Sequence, residues 1–320
     1  MSLLKKSIVF YFFASLCFGM FIELPCWGQR AAPFDLFNQP VDNRVIYRHY
    51  ERRATAMMRR QSADAVENFQ NELKNAPRTS GIERSQLTFN QPNKRDDLYE
   101  YMVKSTVYIG ELYNCGKCDR THAGFSGGVV VSEDGLVLTN YHVLESRDNG
   151  RTEGIYVMTW EGKCWGIKEI LAASKNDDVA LIRLDLKGNR LHAAPIAEAS
   201  PNPMDEVRII SHPFGEFFVM THGEVSRYAR MRKKRDPTAD RVATWMEVTA
   251  PFGSGSSGCG VFNNRGEVVG LVSSIRPLFR NLDSEKSSAQ GADGKARYVE
   301  MLIRKCVPLN AISECFKNDS

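Results

Sequence analysis

The chain has 320 residues, 42% of them hydrophobic and 25% charged, with a formal net charge of +4. That length has room for one large domain or two with a sizeable core, and the composition is that of a globular protein. A charge so near balance does not mark a nucleic-acid binder, and no zinc-finger, RRM-like or helix-turn-helix pattern occurs, so no nucleic-acid partner is expected.

Lys5 and Lys6 precede an apolar run, Ile8 to Ile22, which Glu23 and Pro25 close. Cys26-Trp27-Gly28 then offers small residues at the positions a signal peptidase reads. Residues 1–28 are expected to form a secretory signal peptide, because the run is short for a spanning helix of about twenty residues. An uncleaved membrane anchor and a buried core helix are the alternatives. Export places the mature chain in a secreted or periplasmic, oxidising compartment. Six cysteines then remain: Cys115, Cys118, Cys164, Cys259, Cys306 and Cys315. An even number is compatible with three disulfides, whose pairing sequence cannot give. Cys115-Gly-Lys-Cys118 with His122 nearby has partial zinc-ligand spacing. No second close Cys/His pair completes four ligands, so a structural disulfide or paired loop is expected there and no metal. A redox role has no thioredoxin-like context.

Val41 to about Asn75 reads as helix, with Val45, Ile46, Tyr50, Met57, Met58, Val66 and Phe69 as an imperfect apolar stripe. Arg44, Arg48, Arg52, Arg53, Arg59 and Arg60 make its first half basic. The bland reading is a solvated face packing loosely on the main domain. The sharper one is a docking arm for a partner or an anionic membrane surface. Residues from about Ala76 to Lys94, rich in Pro, Gly, Ser and Asn, read as a linker, so 29–95 is taken as a helical extension and linker and 96–320 as the main domain.

From about Arg95 short β-type runs follow. The first set is Ser105–Glu111, Gly127–Ser132, Leu136–Asn140, Ile155–Trp160, Cys164–Ile170 and Val179–Leu184. The second is Val207–Ser211, Phe217–Ser226, Val242–Val248, Glu267–Ser273 and Arg297–Lys305. Turn signals separate them, and strands at this spacing predict an all-β barrel or sandwich. Pro195 to Pro203 joins the two sets. Arg230-Met-Arg-Lys-Lys-Arg235 reads as a basic hairpin tip and Asn281 to Lys295 as a mobile polar loop.

The chemistry gathers at Pro251-Phe-Gly-Ser-Gly-Ser-Ser-Gly-Cys-Gly-Val-Phe262. A glycine-rich turn lets backbone N–H groups crowd one point, as stabilising the oxyanion of acyl transfer requires. Ser257 is the candidate nucleophile, and the amides of Gly255 and Ser257 are the candidate oxyanion hole. The base is sought among six histidines, of which only His142 lies in an informative context, the polar end of the hairpin Gly127–Leu144. Imidazole can take the serine proton and return it to the leaving group. Asp178, at the mouth of the apolar run Val179–Ile182, is the acid that would fix the imidazole tautomer.

The order His, Asp, Ser is that of chymotrypsin, and here the sequence resembles the trypsin-like serine proteases of the HtrA (Do-like) type. Four segments carry the likeness: Ser132-Glu-Asp-Gly-Leu-Val-Leu-Thr-Asn-Tyr-His-Val143; Asp178-Val-Ala-Leu-Ile182; Val207–Gly215 with Thr221-His-Gly-Glu-Val-Ser226; and Gly255-Ser-Ser-Gly258 with Gly266-Glu-Val-Val-Gly270. Val307–Ile312 resembles the end of that protease domain. The resemblance implies two antiparallel β-barrels, about 96–192 and 200–313, with the active site between them. It implies a serine endopeptidase that acts on protein or peptide substrates without metal or cofactor. Its rate should rise through roughly pH 6–8 as His142 becomes neutral. An oligomer is compatible with it, and no C-terminal PDZ domain of the family's kind is expected after the barrels.

Departures are visible. Cys259 stands between Gly258 and Gly260 where the family usually shows glycines, which could twist the oxyanion turn. Val143 replaces the cysteine that brackets this histidine in digestive trypsins, and Ser256 stands where zymogen-activated trypsins carry Asp. Pro251, six before Ser257, stands where specificity for Arg or Lys needs a carboxylate. A pocket near Pro251, Phe252 and Val272 is therefore expected to take small or medium apolar residues. The rival class is a catalytically weak or inactive protease-fold binding module, docking through the basic helix. An esterase of α/β-hydrolase type is disfavoured by the order of the triad.

Overall fold

The computed structural model describes residues 32–59, 64–91, 98–146, 152–231, 242–281 and 297–317. The expected signal peptide, most of the stretch read as a basic hairpin tip at 230–235 and most of that read as a loop at 281–295 lie outside these residues. No helix among the described residues is long and apolar enough to cross a membrane.

Both sets of apolar runs become antiparallel sheets. The first holds β1 (Thr106–Asn114), β2 (Thr121–Ala123), β3 (Ser126–Ser132), β4 (Leu136–Thr139), β5 (Thr152–Met158), β6 (Cys164–Ser174) and β7 (Val179–Leu184), in the order β2-β1-β3-β4-β7-β6-β5. β1 also pairs with β5 from Tyr108↔Met158 onward, so the sheet curls back on itself. The second set is a closed barrel, β10-β13-β12-β11-β8-β9. Its strands are β8 (Glu206–Ser211), β9 (Val219–Met231), β10 (Ala243–Val248), β11 (Gly260–Phe262), β12 (Val268–Asn281) and β13 (Arg297–Pro308). Closure removes the edges that an open sheet would leave unpaired. This is the all-β, two-sheet architecture that the resemblance implies. The strands β2 and β11, three residues each, were too short to register as periodic runs, and β12 continues beyond Ser273 to pair with β13 as far as Asn281↔Arg297.

The helices are α1 (Asn43–Met58), α2 (Ala65–Asn75), α3 (Leu98–Ser105) and the short α4 (Tyr141–Leu144) and α5 (Leu309–Ser313). The expected long helix is thus two, with Asp42 capping α1 by accepting from the amides of Arg44 and Val45. α1 does not pack loosely. It buries Ile46, His49, Tyr50 and Ala54, a set spaced as one helical face. Tyr50 lies fully buried, its hydroxyl donating to the Gly110 carbonyl at 2.5 Å and that of Tyr156 at 3.2 Å. His49 Nε2 meets the Gly162 carbonyl at 2.7 Å. Arg44, Arg48, Arg52 and Arg59 stay exposed on the other side.

Residues 76–91, read from sequence as a linker, lie along the sheets instead. Pro77 accepts from the Ala173 amide, Ser80 donates to Cys315, Lys317 to Ile82, Glu133 to Thr88, and Asn90 to Ala193. Turn-forming composition signals irregular backbone, and irregular backbone can be held down wherever its polar groups find partners. Residues 31–320 form one compact unit.

Among the described residues no disulfide joins Cys115, Cys118, Cys164, Cys259, Cys306 or Cys315. Cys164, Cys259, Cys306 and Cys315 are each buried in the apolar core. Burial pushes the Cys164 and Cys315 thiols up to about 12 and those of Cys259 and Cys306 higher still.

Candidate active site

Strand register brings the histidine and the aspartate together. β4 and β7 run antiparallel with Thr139 opposite Ala180. The residues just beyond β4 therefore meet those just before β7. His142 sits in the single turn of α4, and Asp178 immediately precedes β7. Both carboxylate oxygens of Asp178 lie 2.9 Å from His142 Nδ1, and the His142 amide donates to Oδ1 at 3.2 Å. An ionised carboxylate only accepts, so Nδ1 carries the proton and Nε2 is left with its lone pair. Asp178 has φ = +57°, a left-handed conformation open to short polar residues at a cost. Asn140 holds it there, donating from Nδ2 to the Asp178 carbonyl at 2.9 Å. Asp178 is 8% exposed, so its charge is shielded from solvent. Asp177, the neighbour the sequence also offered, turns away to Arg78 at 2.6 Å and Ser174 at 2.8 Å.

Ser257 lies in the loop between β10 and β11, and that loop is clamped from both sheets. The Gly127 amide of β3 donates to the Ser257 carbonyl at 2.8 Å. On the other side the Gly258 amide donates to Val272 of β12 at 2.8 Å, and the Val272 amide to Cys259 at 2.9 Å. Gly255 and Gly258 have φ of +97° and +82°. A Cβ on Gly255 would stand 2.6 Å from the His212 carbonyl, and one on Gly258 would overlap the Gly127 carbonyl. Only glycine fits either place.

The candidate oxyanion amides are oriented by their neighbours. Ser254 accepts from the Phe214 amide at 2.6 Å and Ser256 from the Cys259 amide at 3.2 Å. In a trans peptide the N–H points opposite to the C=O. The Gly255 and Ser257 N–H groups therefore turn away from those bonds, and among the described residues neither has an acceptor.

Ser273, which the sequence reading passed over as the end of a strand, ties the pieces together. Its hydroxyl donates to Asp178 Oδ2 at 2.6 Å, and its carbonyl accepts from Ser257 Oγ at 3.1 Å. Ser273 falls at the irregularity of β12 between Val272 and Ser274, where it has no partner on β13, and a buried polar side chain needs hydrogen-bond partners.

Cys259 does not twist the turn. Its sulfur occupies the space beside Gly127, where a Cβ would lie under 3.0 Å away. Ser256 is wholly buried and donates to Ser211 Oγ at 3.1 Å. His212, inside the motif Val207–Gly215, is fully buried, and burial holds its pKa down at about 4, with the Val107 carbonyl opposing. It is a neutral structural group whose Nδ1 accepts from the Phe218 amide at 3.2 Å.

Of the three residues expected to line a specificity pocket, Phe252 (8% exposed) and Val272 (1%) sink into the core. Only Pro251 is exposed, and its carbonyl accepts from Thr221 Oγ1 at 2.7 Å. Apolar side chains five and fifteen residues from a nucleophile are drawn first to the barrel interior.

Residues 126–271 match the family model of the trypsin-like peptidase domain. The chain is 32% identical over 181 residues to serine protease HTRA1A of Danio rerio, across 55% of this chain and 35% of that protein. It is 31% identical over 179 residues to serine protease HTRA1B of the same species, across 55% and 35%. A probable periplasmic serine endoprotease, DegP-like, of Ectopseudomonas mendocina is 29% identical over 163 residues, across 51% and 32%. The chain thus spans about a third of the length of these relatives.

Proposed function

The chain carries a trypsin-like peptidase domain of the HtrA and DegP kind, and from that premise we propose that it is an exported serine endopeptidase whose triad is His142, Asp178 and Ser257. The observation that carries the proposal is the shared use of Ser273. One residue holds the carboxylate through its hydroxyl and the serine through its carbonyl, while the same carboxylate holds His142.

At rest the Ser257 hydroxyl donates its proton to the Ser273 carbonyl in a hydrogen bond. For attack it passes instead to Nε2 of His142, the nitrogen left unprotonated by the Asp178 contact. Ser257 Oγ then adds to the peptide carbonyl. Asp178 stays ionised and stabilises the imidazolium. The Gly255 and Ser257 amides receive the oxyanion. The imidazolium returns its proton to the leaving amine, and water, deprotonated by the same histidine, releases the acyl group. With Pro251 rather than a carboxylate six residues before Ser257, cleavage after small or medium apolar residues is the preference that fits. Export rests on the N-terminal apolar run and the periplasmic relative.

The test is fluorophosphonate labelling of the full chain beside Ser257→Ala. Labelling of the parent alone supports the assignment. Absence of labelling in a folded parent that still binds peptide favours the binding-module reading. A P1-Arg peptide emerging as the best substrate in a library would overturn the specificity.

A further inference from the structure

The β1–β2 hairpin carries a cluster that the proteolytic site does not use. Cys115, Cys118 and His122 present two sulfurs and a ring nitrogen, all within 4.8 Å of one another. The Sγ atoms of Cys115 and Cys118 are in hydrogen-bond contact at 3.5 Å, not a disulfide, and Cys118 Sγ is 3.1 Å from His122 Nε2. We propose that Cys115, Cys118 and His122 form a binding site for a thiophilic divalent cation, Zn²⁺ by the chemistry of its donors.

The hairpin is built to converge these donors. β1 and β2 pair with Tyr113 opposite His122, which fixes the histidine's strand position, and the Tyr113 and His122 rings lie 5.6 Å apart. Asn114 Oδ1 accepts from the Gly116 amide at 2.7 Å, starting a tight turn, and Gly116 takes φ = +68°. That turn folds Cys115 and Cys118 back over one point. The Lys117 amide then donates to Cys115 Sγ at 3.4 Å, the kind of outer bond that orients a ligand and stabilises a thiolate. Around a tetrahedral ion with Zn–S of about 2.3 Å and Zn–N of about 2.0 Å, donors lie about 3.5–3.8 Å from one another. The observed separations need only a small spreading of the turn.

Two thiolates and an imidazole select Zn²⁺ over Mg²⁺, Ca²⁺ or Mn²⁺, which prefer oxygen. Three protein donors leave the fourth tetrahedral position to solvent. Binding releases the two thiol protons, so affinity falls as pH falls. Cys115 is half-buried and Cys118 exposed, so an ion can reach them without unfolding the barrel. The sequence offered a disulfide here because it lacked a second Cys/His pair. The third ligand is instead a strand residue four positions on.

The probe is Co²⁺, titrated anaerobically into the reduced full chain and followed by absorption. The expected result is one equivalent bound with a sulfur-to-cobalt charge-transfer band and intense tetrahedral visible bands, bleached by added Zn²⁺. Cys115→Ser and Cys118→Ser should each weaken binding by more than the roughly ten- to hundredfold that losing an outer-shell partner costs. His122→Ala should keep sulfur absorption but bind at least about tenfold more weakly. Thermal melting confirms that each variant is folded. No charge-transfer band in the parent would overturn the proposal, as would a band that survives in the Cys115→Ser, Cys118→Ser double variant. A His122→Ala chain that binds as the parent does would overturn the three-donor site.

Discussion

Gly127→Ala is expected to disable the proposed enzyme, and removing the Cys259 sulfur should restore it. The Gly127 amide holds the Ser257 carbonyl at 2.8 Å. A methyl on Gly127 would lie under 3.0 Å from Cys259 Sγ, 3.2 Å from the Val107 carbonyl and 3.3 Å from His212 Cδ2. Carbon and sulfur need about 3.5–4.0 Å, and Cys259 is fully buried, so the strain falls on the loop that carries the nucleophile. Overpacking of this kind costs about 1–3 kcal/mol, and a displacement of about 1 Å at a reacting atom costs on the order of a hundredfold in rate. Gly127→Ala should therefore lower kcat/KM about a hundredfold and slow fluorophosphonate labelling in step. In the Gly127→Ala, Cys259→Ala chain the new methyl takes the place of the lost sulfur. The double variant should regain activity to within about tenfold of the parent, the remainder reflecting the Val107 and His212 contacts, with a coupling energy of about 1–3 kcal/mol. A fully active Gly127→Ala chain, or a double variant no better than the product of its single variants, would refute the reasoning.

Ser273→Ala removes one charge-assisted bond to Asp178, worth about 1.5–3 kcal/mol, and should lower kcat by roughly 10- to 150-fold with KM little changed; steady-state kinetics decide. Gly258→Ala must both leave φ = +82° and clear the Gly127 carbonyl, so labelling of a folded Gly258→Ala chain should be abolished. Tyr50→Ala should lose about 3–5 kcal/mol, read as faster hydrogen exchange across Asn43–Met58; exchange unchanged there would mean that Tyr50 does not anchor the helix. His212 has a folded pKa of about 4 against an ordinary 6.5, the difference caused by burial. The unfolded chain therefore binds this proton first as pH falls. The His212 contribution is fully present above about pH 6.5, declines below it, and levels off under about pH 4, for a loss of about 3 kcal/mol. Buried His49 shifts the same way. Denaturant melts at pH 7.5 and 5 test this, and equal stabilities would exclude it.

How much of this was legible depended on whether the information was local. The runs Val179–Leu184 and Leu136–Asn140 announced themselves because all their residues but Arg183 are buried, and both appear as strands at or near their expected bounds. Ser257 and His142 stood out because a dense glycine turn and a polar hairpin end are each readable within a dozen residues. The packing of residues 76–91 was hidden for the same reason: they look irregular locally, and their partners at Ala173, Cys315 and Ala193 are about 100 to 240 positions away. Ser273 and the Gly127–Cys259 contact belong to the same class of information. Ser273 meets Asp178 across 95 positions, and Gly127 meets Ser257 across the junction of the two sheets. A departure such as Cys259 therefore cannot be judged beside Gly258 and Gly260 alone. Its volume is accommodated by a glycine on a different sheet, and a residue that looks like a threat to the oxyanion turn in one dimension is one half of a packing pair in three.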